Sequence, residues 1–327
     1  AREFARAGFR VVSPGEQADI HIVNTCTVTH VADSKARQAL RAAHRRSPHA
    51  LVVATGCYAQ RSPQELARVE GVGLVVGNRD KQRLVEMVLA AGGDALVACA
   101  TGEEPRFYPG AFGRTRAMVK IQEGCNQVCA YCIVPRVRGR ERSIPVETLI
   151  AQVRERVAEG YQEVVLTGTQ LGSYGFDLPG ASLELLVERL LKETEVPRLR
   201  ISSLQPQEIT PRLLRLWDDP RLCPHFHIPL QSGSRAVLQR MRRRYTPDLY
   251  ASTVAQVRQR LPHAAITTDV IVGFPGETEE EFAETEEFCA RMEFASMHVF
   301  PYSVRAGTTA AYLEPKVPEN VKRGRME

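Results

Sequence analysis

The stretch "VKIQEGCNQVCAYCIVPRVRGRERS", Val119–Ser143, sets three cysteines, Cys125, Cys129 and Cys132, just behind a strand-like run and follows them with Arg136, Arg138, Arg140 and Arg142. A closed structural zinc site takes four protein ligands, because the ion is tetrahedral and leaves no corner for water or substrate. Three thiolates leave a corner open. An iron–sulfur cluster held in this way presents its fourth iron to a small molecule. Two other readings compete. Zinc needs a fourth ligand, and neither a second CxxC nor an HxxxH lies nearby. A thioredoxin-like redox pair would use Cys129 and Cys132 and leave Cys125 idle.

Working outward from this stretch, strand-like runs recur at Met118–Gln122, Glu163–Leu166, Arg198–Ser202, His225–Ile228, Ile266–Ile271 and Ser296–Phe300, with helical patterns between them. One such helix is "PVETLIAQVRERVAEG", where Pro145 suits the first turn and Gly160 the stop. Six βα units in succession predict a barrel or an open part-barrel, whose chemistry lies at the C-terminal ends of the strands. Cys125, Gly168, Ser203, Gln231 and Gly273 each follow one of the first five strands and so share one rim.

Before Val119, short β-branched runs at Phe9–Val12, Ile20–Asn24 and Leu51–Thr55 alternate with helical patterns such as "VADSKARQALRAAHRR", which predicts a separate parallel α/β domain. After the helical pattern Leu84–Ala91, the Gly, Pro and charge content of "TGEEPRFYPGAFGRTRA" reads as a linker. The predicted divisions are a first domain over 1–100, a linker over 101–116, the βα domain over 117–310 and a tail over 311–327.

The 327 residues suit about two domains, and 43% hydrophobic with 25% charged residues is a soluble globular composition. No apolar run approaches the roughly 20 residues that span a bilayer, and no signal-peptide pattern opens the chain. The reading is therefore cytoplasmic, with no membrane partner. Eight cysteines in so long a chain are no disulfide framework, and thiol ligands in a reducing compartment fit them better. A net charge of +5 does not by itself imply a polyanionic partner. Its distribution is uneven: basic residues gather at Arg136–Arg142 and Arg235–Arg244, acidic ones in "GETEEEFAETEEF". Such runs are ordinarily solvated helix faces.

With Tyr131 just before the last cysteine, the C-x3-C-x2-C spacing resembles the signature of the radical SAM superfamily. The resemblance implies a [4Fe-4S] cluster on Cys125, Cys129 and Cys132, the residues that carry the catalysis, with its open iron chelating the amino and carboxylate groups of S-adenosylmethionine (SAM). One-electron cleavage of SAM would give a 5′-deoxyadenosyl radical able to abstract hydrogen from an unactivated C–H. It further implies Tyr131 near the adenine, backbone contacts from Gly168 and Thr169 in "LTGTQLGSYG", a contact from Gln231 in "HIPLQSGS", and Gly273 of "VIVGFPGE" beside the adenine. Taken by themselves, glycines in βα turns serve the turn, and His227 is a satisfied core histidine.

Isolated cysteines usually pack as small hydrophobes. Yet "NTCTVT" around Cys26 and "TGCYAQ" around Cys57 resemble the amino-terminal domain of the methylthiotransferases, radical SAM enzymes that hold a second [4Fe-4S] cluster there through three cysteines. This likeness runs from about Phe4 to Arg323. The family's first ligand lies upstream of its counterpart of Cys26, and no cysteine precedes Cys26 here, so the second cluster is expected to lack one ligand in this chain. Cys99, Cys223 and Cys289 match no ligand position and are expected to be structural. "EPKVPENVKRGRME" resembles the lead into the family's RNA-gripping β-barrel, so the sequence is expected to be clipped at both ends.

The resemblance implies consumption of two SAM molecules per product, an electron donor of flavodoxin-like or ferredoxin-like type, and a monomer. "CTVTHVADSKAR", "QRMRRRYT" and "VFPYSVRAGTTAA" are most similar to the branch that places a methylthio group on carbon 2 of N6-threonylcarbamoyladenosine beside the tRNA anticodon. The isopentenyl-adenosine branch comes second, and the branch that modifies a ribosomal-protein aspartate third. An inactive RNA-binding remnant is the reading of a different class. Arg138 and Arg140 are expected to contact phosphates of the anticodon stem-loop, the alternative being pairing with Glu141 or Glu123 or balancing of thiolate charge.

Overall fold

The computed structural model describes residues 1–13, 15–92 and 115–327. It forms two compact units, one of Ala1–Arg114 with Arg136–Arg138 and one of Thr115–Pro135 with Gly139–Glu327. The linker expected at 101–116 lies outside the described residues except for Thr115 and Arg116, and Arg116 already opens a strand. Cys99 also lies outside them.

In the first unit, β1 (Ile20–Thr25), β2 (Leu51–Gly56) and β3 (Val72–Gly77) form a parallel sheet in the order β1-β2-β3. Central β2 is buried on both faces, as parallel strands usually are. Val52 and Ala54 pack with Ala36, Leu40 and Ala43, while Val53 packs with Val76, Leu84 and Val88. The helix His30–Arg46 supplies the first group. Its Thr29 side chain accepts the Ala32 amide, Asp33 sits in the first turn, and His44, Arg45 and Arg46 sit in the last, each suited to the charge at its end of the helix. Leu84–Gly92 supplies Leu84 and Val88 of the second group, and β3 supplies Val76.

Two expectations change here. Phe9–Val12 is not a strand; Phe9 meets Phe4 edge-on at 5.5 Å and contributes packing rather than pairing. The third strand is Val72–Gly77 instead, whose glycines at 73 and 77 weakened its strand signature.

The second unit carries β4 (Arg116–Lys120), β5 (Gln122–Glu123), β6 (Arg142–Ser143), β7 (Glu163–Thr167), β8 (Leu199–Ile201), β9 (His225–His227), β10 (Ala265–Val272) and β11 (Ser296–Pro301). Six of these are parallel and form two half-sheets, β4-β7-β8 and β9-β10-β11. Together they are the expected (β/α)6 part-barrel. At the seam, Leu199 bridges Leu222, and the Leu204 amide donates to the His227 carbonyl at 3.0 Å. The core lies on the outer face, where Val119, Leu166, Ile201, Phe226, Ile266, Val270 and Val272 pack with Val153, Leu190, Val257 and Phe288 of the surrounding helices. The short pair β5–β6 is antiparallel and closes the loop that holds the three cysteines.

The tail after residue 310 belongs to this unit. Its helix Glu319–Gly324 lays the Lys322 stem on Gly273, and Arg325 pairs with buried Glu277 at 2.6 Å. Among the described residues, no helix is long and apolar enough to cross a membrane.

Candidate active site

Cys125, Cys129 and Cys132 leave β5 on a loop fixed by backbone bonds. The Cys125 amide donates to the Gly139 carbonyl at 3.1 Å and the Cys132 amide to the Cys129 carbonyl at 3.1 Å. Between them, Ala130 is held from both sides, its amide by the Met241 carbonyl at 2.9 Å and its carbonyl by the Ala310 amide at 2.7 Å. Gly124 makes the turn possible. It has φ +81°, and a β-carbon there would lie 1.9 Å from the Arg140 carbonyl oxygen. Asn126 and Glu141 bond reciprocally, amide to side chain in both directions at 3.1 and 3.3 Å, and so close the returning arm.

All three thiols are half-buried. Burial pushes the Cys125 thiol up, opposed by the Gln127 amide and reinforced by Glu141 and Cys129. Burial likewise pushes Cys132 up to about 11, the Val134 amide opposing and Cys129 and Cys125 adding to the rise. The sulfurs thus lie within each other's field, and a metal must displace their protons on binding. Soft thiol donors on one short loop are the set an iron–sulfur cluster takes. Among the described residues, no three His, Cys, Asp or Glu side chains are set to hold a single metal ion. In the donor type and number it presents, three thiols on one loop, this site suits such a cluster.

Two residues around the loop escaped the sequence reading. Arg243 Nη1 donates to Cys129 Sγ at 3.3 Å and to the Tyr131 hydroxyl at 3.4 Å, while its Nε reaches the Tyr245 hydroxyl at 3.1 Å. Its charge offsets that of a thiolate; burial in turn pushes the Tyr131 phenol well above its ordinary range. Gln122 is buried between the loop and the turn after β7. Its side-chain nitrogen donates to the Gly124 carbonyl at 2.9 Å, and its oxygen accepts the Thr169 and Gln170 amides, both at 3.0 Å. Gln170 continues this network to Gln205, at 2.6 Å, and to Glu208, whose carboxyl burial pushes up. The signal for Gln122 was only its place before Gly124 and Cys125, and for Arg243 only its membership of a basic run.

Gly168 and Thr169 therefore sit beside the cysteine loop. Gln231 and Gly273 lie on the other half-sheet. Gln231 adopts φ 68°, costly for a side-chain-bearing residue, and inserts beside β10, its amide on the Asp269 carbonyl and its carbonyl on the Ile271 amide, both at 2.8 Å. Gly273 gives its amide to Glu277 at 2.6 Å, and a β-carbon there would lie 2.4 Å from Lys322 Cγ. His227 is not sealed in an apolar core; it bonds Thr267 and Asp269.

In the first unit, exposed Cys26 and buried Cys57 stand just past β1 and β2 at the C-terminal edge of the sheet. Gly56, at φ +103°, lets β2 end against β1, since a β-carbon would lie 2.4 Å from the Thr25 carbonyl oxygen. Cys57 Sγ accepts from Asn78 Nδ2 at 3.4 Å and from Arg138 Nε at 3.3 Å. Arg138 thus meets a cysteine sulfur, while Glu141 bonds Asn126 and Glu123 binds Lys120 at 2.8 Å. Arg140 is exposed. Cys223 is buried at the β8–β9 seam, and Cys289 lies half-buried on the helix Glu279–Met292.

Residues 119–289 match the family model of the radical SAM superfamily, and residues 1–77 match one described as "Uncharacterized protein family UPF0004". The chain is 42% identical to threonylcarbamoyladenosine tRNA methylthiotransferase MtaB of Bacillus subtilis (strain 168), over 99% of this chain and 74% of that protein. It is 43% identical to the MtaB of Aquifex aeolicus (strain VF5), over 99% and 81%. A tRNA-2-methylthio-N(6)-dimethylallyladenosine synthase of Clostridium tetani (strain Massachusetts / E88) is 35% identical, over 98% and 75%. Among solved structures, the radical SAM methyltransferase TsrM of Kitasatospora setae shares the fold with a TM-score of 0.65 at 16% identity, over 91% of this chain and 66% of that one.

Proposed function

The chain belongs to the radical SAM superfamily and, within it, to the tRNA methylthiotransferases, and on that footing we propose that it places a methylthio group on carbon 2 of N6-threonylcarbamoyladenosine beside the tRNA anticodon. The observation that carries this reading is identity of 37–43%, over 99–100% of this chain and 74–81% of each relative, to three enzymes named for that substrate, in a chain whose thiol loop is intact. The Clostridium tetani relative supports isopentenyl-adenosine as the second reading, at 35% identity.

The superfamily's [4Fe-4S] cluster and SAM, when bound, supply the one-electron chemistry that activates an inert C–H. This chain's residues do the holding. Cys125, Cys129 and Cys132 bind the cluster, and Arg243 offsets thiolate charge. Gln122 fixes the loop against Thr169, so that Gly168 and Thr169 would contact SAM beside the thiols, with Tyr131, Gln231 and Gly273 as the other residues that would hold it. Cys26 and Cys57 would supply two of the ligands of a second cluster, with Asn78 and Arg138 donating to the Cys57 sulfur; among the described residues the first unit offers no third cysteine, so that cluster would be incomplete on these residues alone. Arg140 contacts RNA phosphate. The enzyme acts as a cytoplasmic monomer supplied by a flavodoxin-like or ferredoxin-like donor.

The test is anaerobic turnover of an anticodon stem-loop by the reconstituted full-length enzyme. Methylthiolation of the threonylcarbamoyl RNA is expected, and action on isopentenyl RNA alone would overturn the assignment.

A further inference from the structure

A closed barrel fills its interior with branched apolar side chains. The concave face of β9–β11 carries a polar row instead. Phe226, Ile266, Val270 and partly buried Val299 pack into the outer core, so His227, Asp269 and His298, which alternate with them, line the inner face. Asp269 lies between two imidazoles, with His227 Nε2 3.2 Å from Oδ2 and His298 Nδ1 3.4 Å from Oδ1. Thr267 Oγ1 stands 3.1 Å from His227 Nδ1 and 3.2 Å from His225 Nε2.

With both imidazoles neutral, these partners set the tautomers: the Thr267 hydroxyl donates to His227 Nδ1, His227 Nε2–H donates to one oxygen of Asp269, and His298 Nδ1–H donates to the other. His298 Nε2 is then an acceptor, on a side chain 67% exposed, and its ring centre lies 6.2 Å from that of Phe300, itself 45% exposed. An exposed His–Asp contact adds little stability. A reachable row of fixed polarity beside an open aromatic ring is instead suited to reading a planar, hydrogen-bonding ligand.

Beyond the N6–H, which isopentenyl-adenosine shares, the threonylcarbamoyl group offers a second ureido N–H, a carbonyl, a hydroxyl and a carboxylate; an isopentenyl group offers none of these. We propose that the concave face of β10–β11 is the subsite for the N6 substituent of the substrate, with His298, oriented by Asp269, accepting the second ureido N–H, the one borne by the threonyl nitrogen, and Phe300 flanking the base. This rests on the reading under Proposed function. A site built to bond a polar group rejects the analogue that lacks it, because its own polar atoms are then left unpaired.

The test uses the reconstituted full-length enzyme with stem-loops bearing either substituent. His298→Ala is expected to raise KM for the threonylcarbamoyl RNA about tenfold and to narrow the preference over isopentenyl RNA, with iron content and RNA-independent SAM cleavage at wild-type levels. His298→Gln, which keeps an acceptor, should recover part of the loss, and Asp269→Asn should raise KM less than His298→Ala. A wild-type KM in His298→Ala, or lost iron and SAM cleavage, overturns the subsite. If the wild-type enzyme uses threonylcarbamoyl RNA and His298→Ala keeps its KM, the subsite alone fails; if the wild type uses only isopentenyl RNA, the functional reading fails and the subsite with it.

Discussion

The side-chain oxygen of Gln122 accepts the Thr169 amide at 3.0 Å while its nitrogen holds the Gly124 carbonyl at 2.9 Å, so one buried amide ties the cysteine loop to the turn after the next parallel strand. Gln122→Leu leaves two backbone amides and one carbonyl without that partner. The expected cost is about 1–3 kcal/mol of stability, with reduced iron content per chain after reconstitution. Unchanged melting and iron content would show that the loop is fixed by its other bonds.

Arg243 sits on the Cys129 sulfur, and hydrogen bonds and positive charge at a ligand sulfur favour the more negative, reduced cluster. Arg243→Gln is therefore expected to shift the reduction potential of the cluster to a more negative value in an EPR-monitored titration, with iron content retained. A potential equal to wild type would remove Arg243 from the electrostatics of the site.

Two neighbouring arginines should separate in their effects. Arg140→Ala is expected to weaken stem-loop binding and reduce its salt slope by roughly 0.7–0.9, without altering iron content. Arg138→Ala removes a donor from Cys57, and its expected signature is lower iron content in the Cys26–Cys57 unit, measured in a Cys125→Ala, Cys129→Ala, Cys132→Ala background. The reverse pattern would contradict both assignments.

At the start of β7, burial works to raise the Glu163 carboxyl, but Arg200 at 2.6 Å, Arg116 at 3.3 Å and Arg198 at 3.5 Å prevail and hold it below its ordinary 4.5. A depressed carboxyl contributes stability above the unfolded value and loses it as pH falls through the folded value. Glu163→Gln is expected to cost about 1–2 kcal/mol at pH 7, since Arg116 and Arg198 are mostly exposed and stay hydrated, and to flatten the loss of stability below pH 4.5. An acid-unfolding curve parallel to wild type would rule this out.

Much of this architecture is legible in the sequence because its signals are local. The strands at Glu163, His225 and Ser296 begin where their β-branched and aromatic runs begin, and the thiol spacing lies within one loop. Val72–Gly77 carries no clear strand signal because its glycines dilute the β-branched run, and Phe9–Val12 has strand-like residues but no pairing partner. Arg243 meets Cys129 across 114 residues, and His227 meets Asp269 across 42. Contacts of that range are set by barrel closure and strand register, which no short window of sequence contains.

The most direct test of the central claim is the nucleoside content of tRNA from cells lacking this gene. The account predicts loss of the methylthio derivative of N6-threonylcarbamoyladenosine, accumulation of the unmethylthiolated nucleoside, and restoration by the wild-type gene but not by one encoding Cys125→Ala. Unchanged methylthio-threonylcarbamoyladenosine, with loss of the methylthio-isopentenyl nucleoside in its place, would contradict it.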